Sequence, residues 1–259
     1  MPITAQGAAV SLQGVGKAFG NGVVALDNLN LDIRAGEFVS LLGPSGCGKS
    51  TALRILAGLS EPTRGTVVWP GGRPQGKHAI GFVFQEPTLM PWATVFENVF
   101  LPLRLEGMPR AAAATRVNEM LARVGLGEFV GAYPRELSGG MKMRVSIARA
   151  LVTNPSLLLM DEPFAALDEI TRFKLNDDLL ALWRELGKTV VFVTHSVFES
   201  VYLSQRVVVM TPRPGRVSTE VVVDAPSRDA QFRTSAEYAS FCRLTSEALA
   251  QAMKVGTAA

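Results

Sequence analysis

The chain has 259 residues, 47% of them hydrophobic, which is enough for one large domain or for a core with an inserted subdomain. No stretch approaches the roughly 18 consecutive apolar residues of a membrane span, and the first residues do not resemble a signal peptide. The net charge is only +3 and the basic residues are dispersed, so the case for nucleic-acid binding is weak. Cys47 and Cys242 form no spaced framework. We therefore expect a folded protein of a reducing, cytoplasmic compartment that does not itself cross a membrane.

The first predicted strand, residues 37–42, is followed by a glycine-rich loop and by a predicted helix that begins at Lys49 and closes before Gly58. The loop fits the phosphate-binding pattern G-x-x-x-x-G-K-[ST], whose amides and helix N-terminus face one anion. Lys49 supplies a positive charge for the β- and γ-phosphates, and the Ser50 hydroxyl suits Mg²⁺. The predicted nucleotide-binding residues here are Gly43, Pro44, Ser45, Gly46, Cys47, Gly48, Lys49, Ser50 and Thr51. The sequence thus predicts binding of a nucleoside triphosphate.

Further strand-like apolar runs alternate with helical patterns along the chain. Several are continuous rather than alternating, which is typical of strands covered by helices on both faces. These runs are residues 65–69, 79–84, 156–160, 189–194 and 206–210. We predict an α/β core with buried parallel strands.

The strand pattern disappears between residues 85 and 155, where apolar residues recur at helical spacing and one helix is bounded by Pro109 and Gly125. The chain therefore divides into three predicted parts. These are a nucleotide-binding core at residues 1–85 and 156–215, a helical subdomain at 86–155, and a C-terminal strand and helix extension at 216–259.

Two later helices are also predicted. One carries a leucine stripe from Leu175 to Leu186, expected to pack on the sheet, and ends at Gly187. The other begins near the C-terminus with a capping box made by Thr234 and Glu237.

A second chemical motif follows the apolar residues 157–160, which end in Asp161 and Glu162. A buried strand that ends beside the phosphate loop can place Asp161 near Mg²⁺ and leave Glu162 facing the attacking water. The pair then divides metal binding from general-base catalysis.

The segment Leu-Ser-Gly-Gly-Met at residues 137–141, with residues 142–151 after it, resembles the signature of ATP-binding cassette (ABC) ATPases. The resemblance extends from Phe19 to about Gly215. Six features follow the family's order, namely the phosphate loop, Gln85, the signature, Asp161 with Glu162, residues 166–168 and His195. It implies a P-loop NTPase core of the ABC ATPase type with an inserted helical subdomain, and ATP as the nucleotide.

The signature places Ser138 and the amides of Gly139 and Gly140 at a helix N-terminus, a second anion site that the nucleotide of the same chain cannot reach. The resemblance implies a head-to-tail homodimer in which each signature closes over the γ-phosphate held by Lys49 of the other subunit. The alternative is that Ser138 only caps the helix.

Four more roles are implied by the resemblance alone. Gln85 contacts Mg²⁺ and the attacking water, and His195 contacts the γ-phosphate. Asp168 acts across the dimer, or else merely caps the next helix. Phe19 stacks on adenine, with core packing as the alternative. The family commonly has glutamine at Met141 and often tyrosine at Phe19, so this chain loses hydrogen bonds at both positions.

Three outputs of ATP hydrolysis are compatible with these motifs: membrane import, DNA repair or chromosome organisation, and ribosome-associated work. Repair-type cassettes carry a long coiled coil between phosphate loop and signature, and translation-type factors carry two cassettes. This chain has neither, so the importer is favoured, with a soluble ABC-type ATPase acting on DNA or ribosomes as the alternative.

Residues 84–99 and 138–144 resemble the nitrate/sulfonate/taurine importer family. That resemblance implies a small anion, a sulfonate or a related nutrient as cargo. It also implies integral membrane permease subunits as partners at the cytoplasmic face of the plasma membrane. A periplasmic or extracellular solute-binding protein is an indirect partner, and no nucleic acid is expected.

Two further expectations concern single side chains. Leu89, Met90, Trp92 and Phe96 are expected to form an exposed groove for a short cytoplasmic helix of the permease, unless they pack inside the helical subdomain. Nearby amides and the lysine of the phosphate loop are expected to lower the pKa of Cys47 and make it the more reactive cysteine.

Overall fold

The computed structural model describes residues 8–72, 79–225 and 227–255. In chain order, its elements are β1 (Ala8–Ala18), β2 (Val24–Arg34), β3 (Phe38–Leu42), α1 (Lys49–Ala57), β4 (Arg64–Val68), β5 (Ile80–Val83), α2 (Val95–Leu105), α3 (Arg110–Arg123), two 3-10 helices (Gly127–Phe129 and Pro134–Glu136), α4 (Gly139–Leu151), β6 (Leu157–Asp161), α5 (Glu169–Leu186), β7 (Thr189–Thr194), α6 (Val197–Leu203), β8 (Arg206–Met210), β9 (Val217–Val222), α7 (Ala230–Arg233) and α8 (Ala236–Val255). None of the helices in these described ranges is long and apolar enough to span a membrane.

The contacts divide the chain into two compact units. The sheet unit comprises Met1–Arg73 and Lys188–Ala259, and the helical unit comprises Pro74–Gly187. The functional boundaries expected at residues 85, 155 and 215 stay a prediction.

In the sheet unit, β3 lies between β7 and β8 and is parallel to both, while β9 pairs antiparallel with β8. Every residue of β3, β7 and β8 is buried, as their continuous apolar sequences predict. Helix α1 contacts β7, α6 contacts β3, and α8 contacts β8. The predicted α/β class with buried parallel strands is confirmed here.

A separate antiparallel sheet in the same unit has the order β2-β1-β4. The prediction that residues 65–69 belong with the parallel strands is therefore wrong, because β4 pairs antiparallel with β1. Strands β1 and β2 were not predicted at all. In β2, the buried Leu29, Leu31 and Ile33 alternate with exposed polar residues, the pattern of a strand with only one covered face. Register shifts interrupt the β1–β2 pairing.

The helical unit contains one parallel pair, β5 and β6, in which Val83 is opposite Met160. Between residues 86 and 155, all of them described, the structure contains helices and no strand. Helix α3 is preceded by Pro109 and followed by Val124 and Gly125, as predicted.

Helix α5 buries Leu175, Leu179 and Leu182 of the predicted stripe and ends at Gly187. Within this unit it packs against α4.

In the C-terminal extension, the predicted capping box is wrong. The Ser235 hydroxyl accepts a hydrogen bond from the Tyr238 amide (3.0 Å) at the start of α8. The hydroxyl of Thr234 instead donates to the Gln231 carbonyl (3.1 Å) at the end of α7, because only Thr234 and Ser235 separate the two helices.

Candidate nucleotide-binding site

The phosphate loop connects β3 to α1 and depends on glycine at position 48. Gly48 has φ 101°, and a Cβ atom there would lie 2.6 Å from Leu26 Cδ2 and 2.7 Å from the Ala25 carbonyl oxygen. No side chain in the described residues caps the N-terminus of α1. No capping side chain therefore competes with an anion for the first amides of this helix.

Lys49 is 4% exposed and folds back into its own loop. Its Nζ donates hydrogen bonds to the carbonyl oxygens of Gly43 (2.7 Å) and Pro44 (2.9 Å). These bonds fix the ammonium group at the base of the loop, where the predicted site for the β- and γ-phosphates lies.

Cys47 departs from expectation. Its side chain points inward and is 1% exposed, and a Cβ at Gly43 would come within 2.9 Å of its sulfur. Burial raises the pKa of the Cys47 thiol and outweighs the opposing effect of the nearby Lys49 charge. The predicted lowering of this pKa is therefore wrong. Burial also raises the pKa of Cys242.

His195 begins the turn that follows β7. Leu42 of β3 is opposite Thr194 of β7, so Gly43 and His195 leave neighbouring parallel strands at the same edge of the sheet. The carboxyl ends of parallel strands are where α/β proteins bind ligands. His195 is exposed there.

Phe19 lies in the tight connection between β1 and β2. Its amide donates to the Val23 carbonyl (2.9 Å), and its ring is 44% exposed with Lys17 Nζ 5.6 Å from the ring centroid. The core-packing alternative does not fit this exposure. Stacking of the ring on adenine stays a prediction.

In the helical unit, the pairing of Val83 with Met160 brings the carboxyl ends of β5 and β6 to one edge. Gln85 lies just after β5, Asp161 is the last residue of β6, and Glu162 follows it. Glu162 has φ 46°, a left-handed conformation that costs a non-glycine residue about 1–2 kcal/mol. The strained residue is thus the predicted general base.

The signature forms the start of α4. Ser138 Oγ accepts from the Met141 amide (3.3 Å), Gly139 is exposed, and Gly140 is buried. A Cβ at Gly140 would lie 2.7 Å from Thr171 Cγ2, so the signature packs tightly on the first turn of α5.

Asp168 caps that same turn of α5, accepting from the Thr171 amide at 2.9 Å. This hydrogen bond holds the pKa of the Asp168 carboxyl below its usual range. Both capping alternatives raised by the sequence are therefore observed. The cap occupies only one acceptor direction of the Ser138 and Asp168 side chains, so each can make a further contact. Their roles across the dimer stay predictions.

The segment after Gln85 is partly exposed. Trp92 is 78% exposed, whereas Phe96 is only 5% exposed and packs against Phe100 and beneath the Arg110 guanidinium, 4.4 Å from the ring centroid. The expectation that Phe96 lines an exposed groove is wrong, because the first turn of α2 directs it inward. Asn98 anchors the segment by accepting from the Met90 amide (2.8 Å).

Two features of the site were missed from the sequence. Arg149, near the end of α4, donates to the carbonyls of Pro87 (2.8 Å) and Thr88 (2.9 Å) and so ties the signature helix to the segment after Gln85. Gly215, after β8, packs on the phosphate loop, since a Cβ there would be 2.0 Å from the Cys47 carbonyl oxygen. For Arg149, the only signal in the sequence was an arginine among the apolar residues of α4.

The predicted magnesium ligands are Ser50 in the sheet unit and Gln85 and Asp161 in the helical unit. All offer oxygen donors, the chemistry that Mg²⁺ prefers when phosphate supplies its other ligands. The described residues contain no group of three or more histidine, cysteine, aspartate or glutamate side chains placed to hold a metal ion. The donor set fits a phosphate-bound Mg²⁺.

A glycine-bounded phosphate loop at the end of a parallel strand and a capped signature helix define a P-loop ATPase of the cassette class. Comparison with known proteins gives the family. A family model described as "ABC transporter" matches residues 26–165. The chain belongs to this family and is an ABC-type ATPase.

Among curated relatives, an ABC transporter ATP-binding protein of Methanocaldococcus jannaschii is 51% identical, covering 86% of this chain and 83% of the relative. A taurine import ATP-binding protein of Rhizobium johnstonii is 46% identical, covering 82% of each. A nitrate import ATP-binding protein of Synechocystis is 47% identical, covering 79% of this chain and 77% of the relative.

Solved structures agree. A dimeric ABC cassette in a post-hydrolysis state with ADP and Pi has a TM-score of 0.71 and 38% identity, covering 83% of this chain and 99% of that one. The cbiO1 subunit from Clostridium perfringens, part of the cbiONQ transporter complex, has a TM-score of 0.76 and 28% identity, covering 84% and 90%.

Proposed function

We infer that this chain is the ATP-hydrolysing, energy-coupling subunit of an importer for a small anion, a sulfonate or a related nutrient. The importer assignment draws on the taurine and nitrate import relatives, which are similar over most of both chains. The alternative, a soluble cassette acting on DNA or ribosomes, has no comparable support.

The observation that carries the proposed hydrolysis is the shared carboxyl edge of β5 and β6, where Gln85, Asp161 and Glu162 all lie. In the proposed reaction Glu162 takes a proton from water. The water oxygen bonds to the γ-phosphorus, and the bond from that phosphorus to the β-bridging oxygen breaks to release ADP.

The other residues stabilise charge. Lys49, the amides of the phosphate loop and His195 balance the negative charge that develops on the γ-phosphoryl oxygens. Ser50, Gln85 and Asp161 would hold Mg²⁺, which neutralises phosphate charge when bound.

Assembly is the second part of the proposal. Two copies associate head to tail, so that Ser138, Gly139 and Gly140 of one copy close over the nucleotide of the other, as the dimeric cassette among the similar structures suggests. Asp168 lies beside this signature and is assigned to the same interface. Phe19 stacks on the adenine.

The third part is attachment to a membrane. The pair binds integral permease subunits at the cytoplasmic face of the plasma membrane, and these receive cargo from a solute-binding protein. The exposed Trp92 and the segment that Asn98 anchors supply an apolar surface for a short helix of the permease.

Replacement of Glu162 by glutamine tests the reaction. The variant is expected to bind ATP normally and to lose about 100-fold or more in kcat, because the general base is gone while the shape of the site is kept. A stable ATP-bound dimer should accumulate in gel filtration. Glu185→Gln, at an exposed carboxyl on α5, is the matched control. Hydrolysis by Glu162→Gln at the parental rate would refute the assignment.

Replacement of Trp92 by glutamate tests the importer. Folding and basal ATPase activity should be retained, while co-purification with the permease encoded beside this gene is lost. Leu59→Glu, at a residue that is 64% exposed in the sheet unit, is the control and should still co-purify. Association of the parental protein with DNA or ribosomes, and with no permease, would favour the alternative function.

A further inference from the structure

The backbone on both sides of His195 is fixed to the start of α6. The Thr194 hydroxyl accepts from the Ser196 amide (3.0 Å) and donates to Glu199 Oε2 (2.6 Å). Ser196 Oγ in turn accepts from the Glu199 amide (3.3 Å). Thr194 and Glu199 are buried, so these bonds are shielded from water. The position of His195 therefore follows the position of α6.

Helix α6 has only seven residues, too few to be stable without tertiary contacts. The C-terminal helices supply such contacts. Tyr238 Oη of α8 donates to the carbonyl of Phe198 in the first turn of α6 (3.0 Å). The rings of Tyr202, Phe232 and Tyr238 form one cluster, with centroids 5.3 to 6.4 Å apart. The Arg233 guanidinium lies over the Tyr202 ring at 4.0 Å.

The Tyr238 hydroxyl is a permanent donor in this arrangement. Burial, followed by the interaction with Cys242, raises the pKa of Tyr238 well above its usual range. The hydroxyl therefore keeps its proton at neutral pH. Its hydrogen bond to the Phe198 carbonyl links the last helix to the turn of α6 nearest His195.

We propose that Tyr238 is a positioning residue for His195, holding α6 so that the imidazole is presented at the carboxyl edge of β3 and β7. The C-terminal extension thereby takes part in ATP hydrolysis without touching nucleotide. This inference rests on the proposed contact between His195 and the γ-phosphate.

The test compares Tyr238→Phe with the parental chain. The variant keeps the ring and loses the hydrogen bond to the Phe198 carbonyl, so kcat is expected to fall about two- to tenfold while KM for ATP stays constant. Ser246→Ala removes a hydroxyl bond of 2.8 Å to the Cys242 carbonyl within the same helix and is the matched control. It should leave kcat unchanged. In a His195→Ala background, Tyr238→Phe should have no further effect on the residual rate, since its action passes through the imidazole.

A spectroscopic readout separates positioning from general stability. The chain contains only two histidines, His78 and His195, so a His78→Gln protein has a single imidazole, whose Cε1–H signal can be followed by NMR. Tyr238→Phe is expected to shift or broaden this signal in the folded protein, and Ser246→Ala is not. Arg233→Gln, which loosens the same cluster from its other side, provides a second variant with the same expected direction.

The outcomes are distinct. An unchanged imidazole signal and a parental kcat in Tyr238→Phe overturn the positioning role of Tyr238. If Glu162→Gln is inactive in the same series, that result overturns the further inference alone and the proposed ATPase function still holds. An equal loss of rate in the His195→Ala background also overturns it. A parental rate in His195→Ala alone removes the role of His195 on which the inference depends.

Discussion

The two helices that begin at predicted anion sites are built in opposite ways. Helix α1 follows Gly48 in a left-handed conformation and has no side-chain cap from the described residues. Helix α4 follows Ser138, whose hydroxyl caps it by accepting from the Met141 amide. One N-terminus is left open by its backbone, and the other is closed by its own side chain.

This difference matches different tasks. An N-terminus without a side-chain cap can offer its amides to an anion, so α1 gains free energy whenever phosphate binds. A serine cap contributes about 1 kcal/mol and keeps α4 intact without ligand. In the proposed cycle the phosphate loop binds ATP first, whereas the signature meets phosphate only when a second subunit arrives. Helix α4 therefore has its own serine cap, which stabilises it before the second subunit binds.

The largest expected effect follows from closing the open end of α1. Gly48→Ala adds a Cβ that would overlap Leu26 and the Ala25 carbonyl, so the loop must move and its amides lose their common direction. The loss of two or more charge-assisted hydrogen bonds predicts a fall of roughly 100-fold or more in ATP affinity. A fluorescent ATP analogue in an equilibrium titration measures this.

Gly20→Ala is the control for that experiment, because a Cβ at Gly20 meets no atom within 4 Å. Its ATP affinity should equal that of the parental chain. Parental ATP affinity in folded Gly48→Ala protein would show that the open backbone at α1 is not required.

The signature glycines give the next largest effect and should differ from each other. A Cβ at Gly140 would lie 2.7 Å from Thr171, whereas one at Gly139 would lie 3.4 Å from Leu167. We expect Gly140→Ala to destabilise the chain by about 1–3 kcal/mol through overpacking. Gly139→Ala should be neutral or slightly stabilising, since alanine favours the helix by up to about 1 kcal/mol. Urea unfolding of the two variants measures the contrast, and equal losses would contradict the close packing of Gly140.

The sequence predicted the inner strands more closely than the outer ones. Strands β7 and β8 begin and end where their valine-rich runs do, because burial on both faces leaves an uninterrupted apolar signal. Strand β2 has one covered face, and Gly14 and Gly16 interrupt the apolar pattern of β1. Their pattern is set by pairing with each other, which a local reading of the sequence does not capture.

The candidate site shows the same limit. The phosphate loop and the signature are local patterns whose glycines and caps fix the backbone, so both were found. The hydrogen bonds from Arg149 to Pro87 and Thr88 join residues about 60 positions apart, and no local pattern encodes them. The inward direction of the Cys47 side chain is likewise set by packing against Gly43, and the wrong pKa prediction came from counting nearby charges without burial.

A smaller effect separates the two functions proposed for the closed end of α4. Ser138→Ala removes the cap and should cost about 1 kcal/mol in unfolding free energy. Ser138→Asp restores a capping oxygen and hence stability, but its negative charge opposes phosphate, so ATPase activity of the dimer should stay low. The pair is compared by urea unfolding and by steady-state hydrolysis. Full activity in the aspartate variant would reduce Ser138 to a helix cap.

The smallest effect concerns the inner side of the open loop. Because burial raises the pKa of Cys47 and the thiol is directed away from solvent, maleimide should label it more slowly than it labels free cysteine at neutral pH, with or without ATP. The thiolate fraction grows with pH, so labelling should accelerate as pH rises. In urea both Cys47 and Cys242 should react quickly. Rapid labelling of Cys47 in the native chain, blocked by ATP, would contradict this prediction. It would mean that the phosphate loop before α1 also exposes its inner side, whereas the capped start of α4 does not.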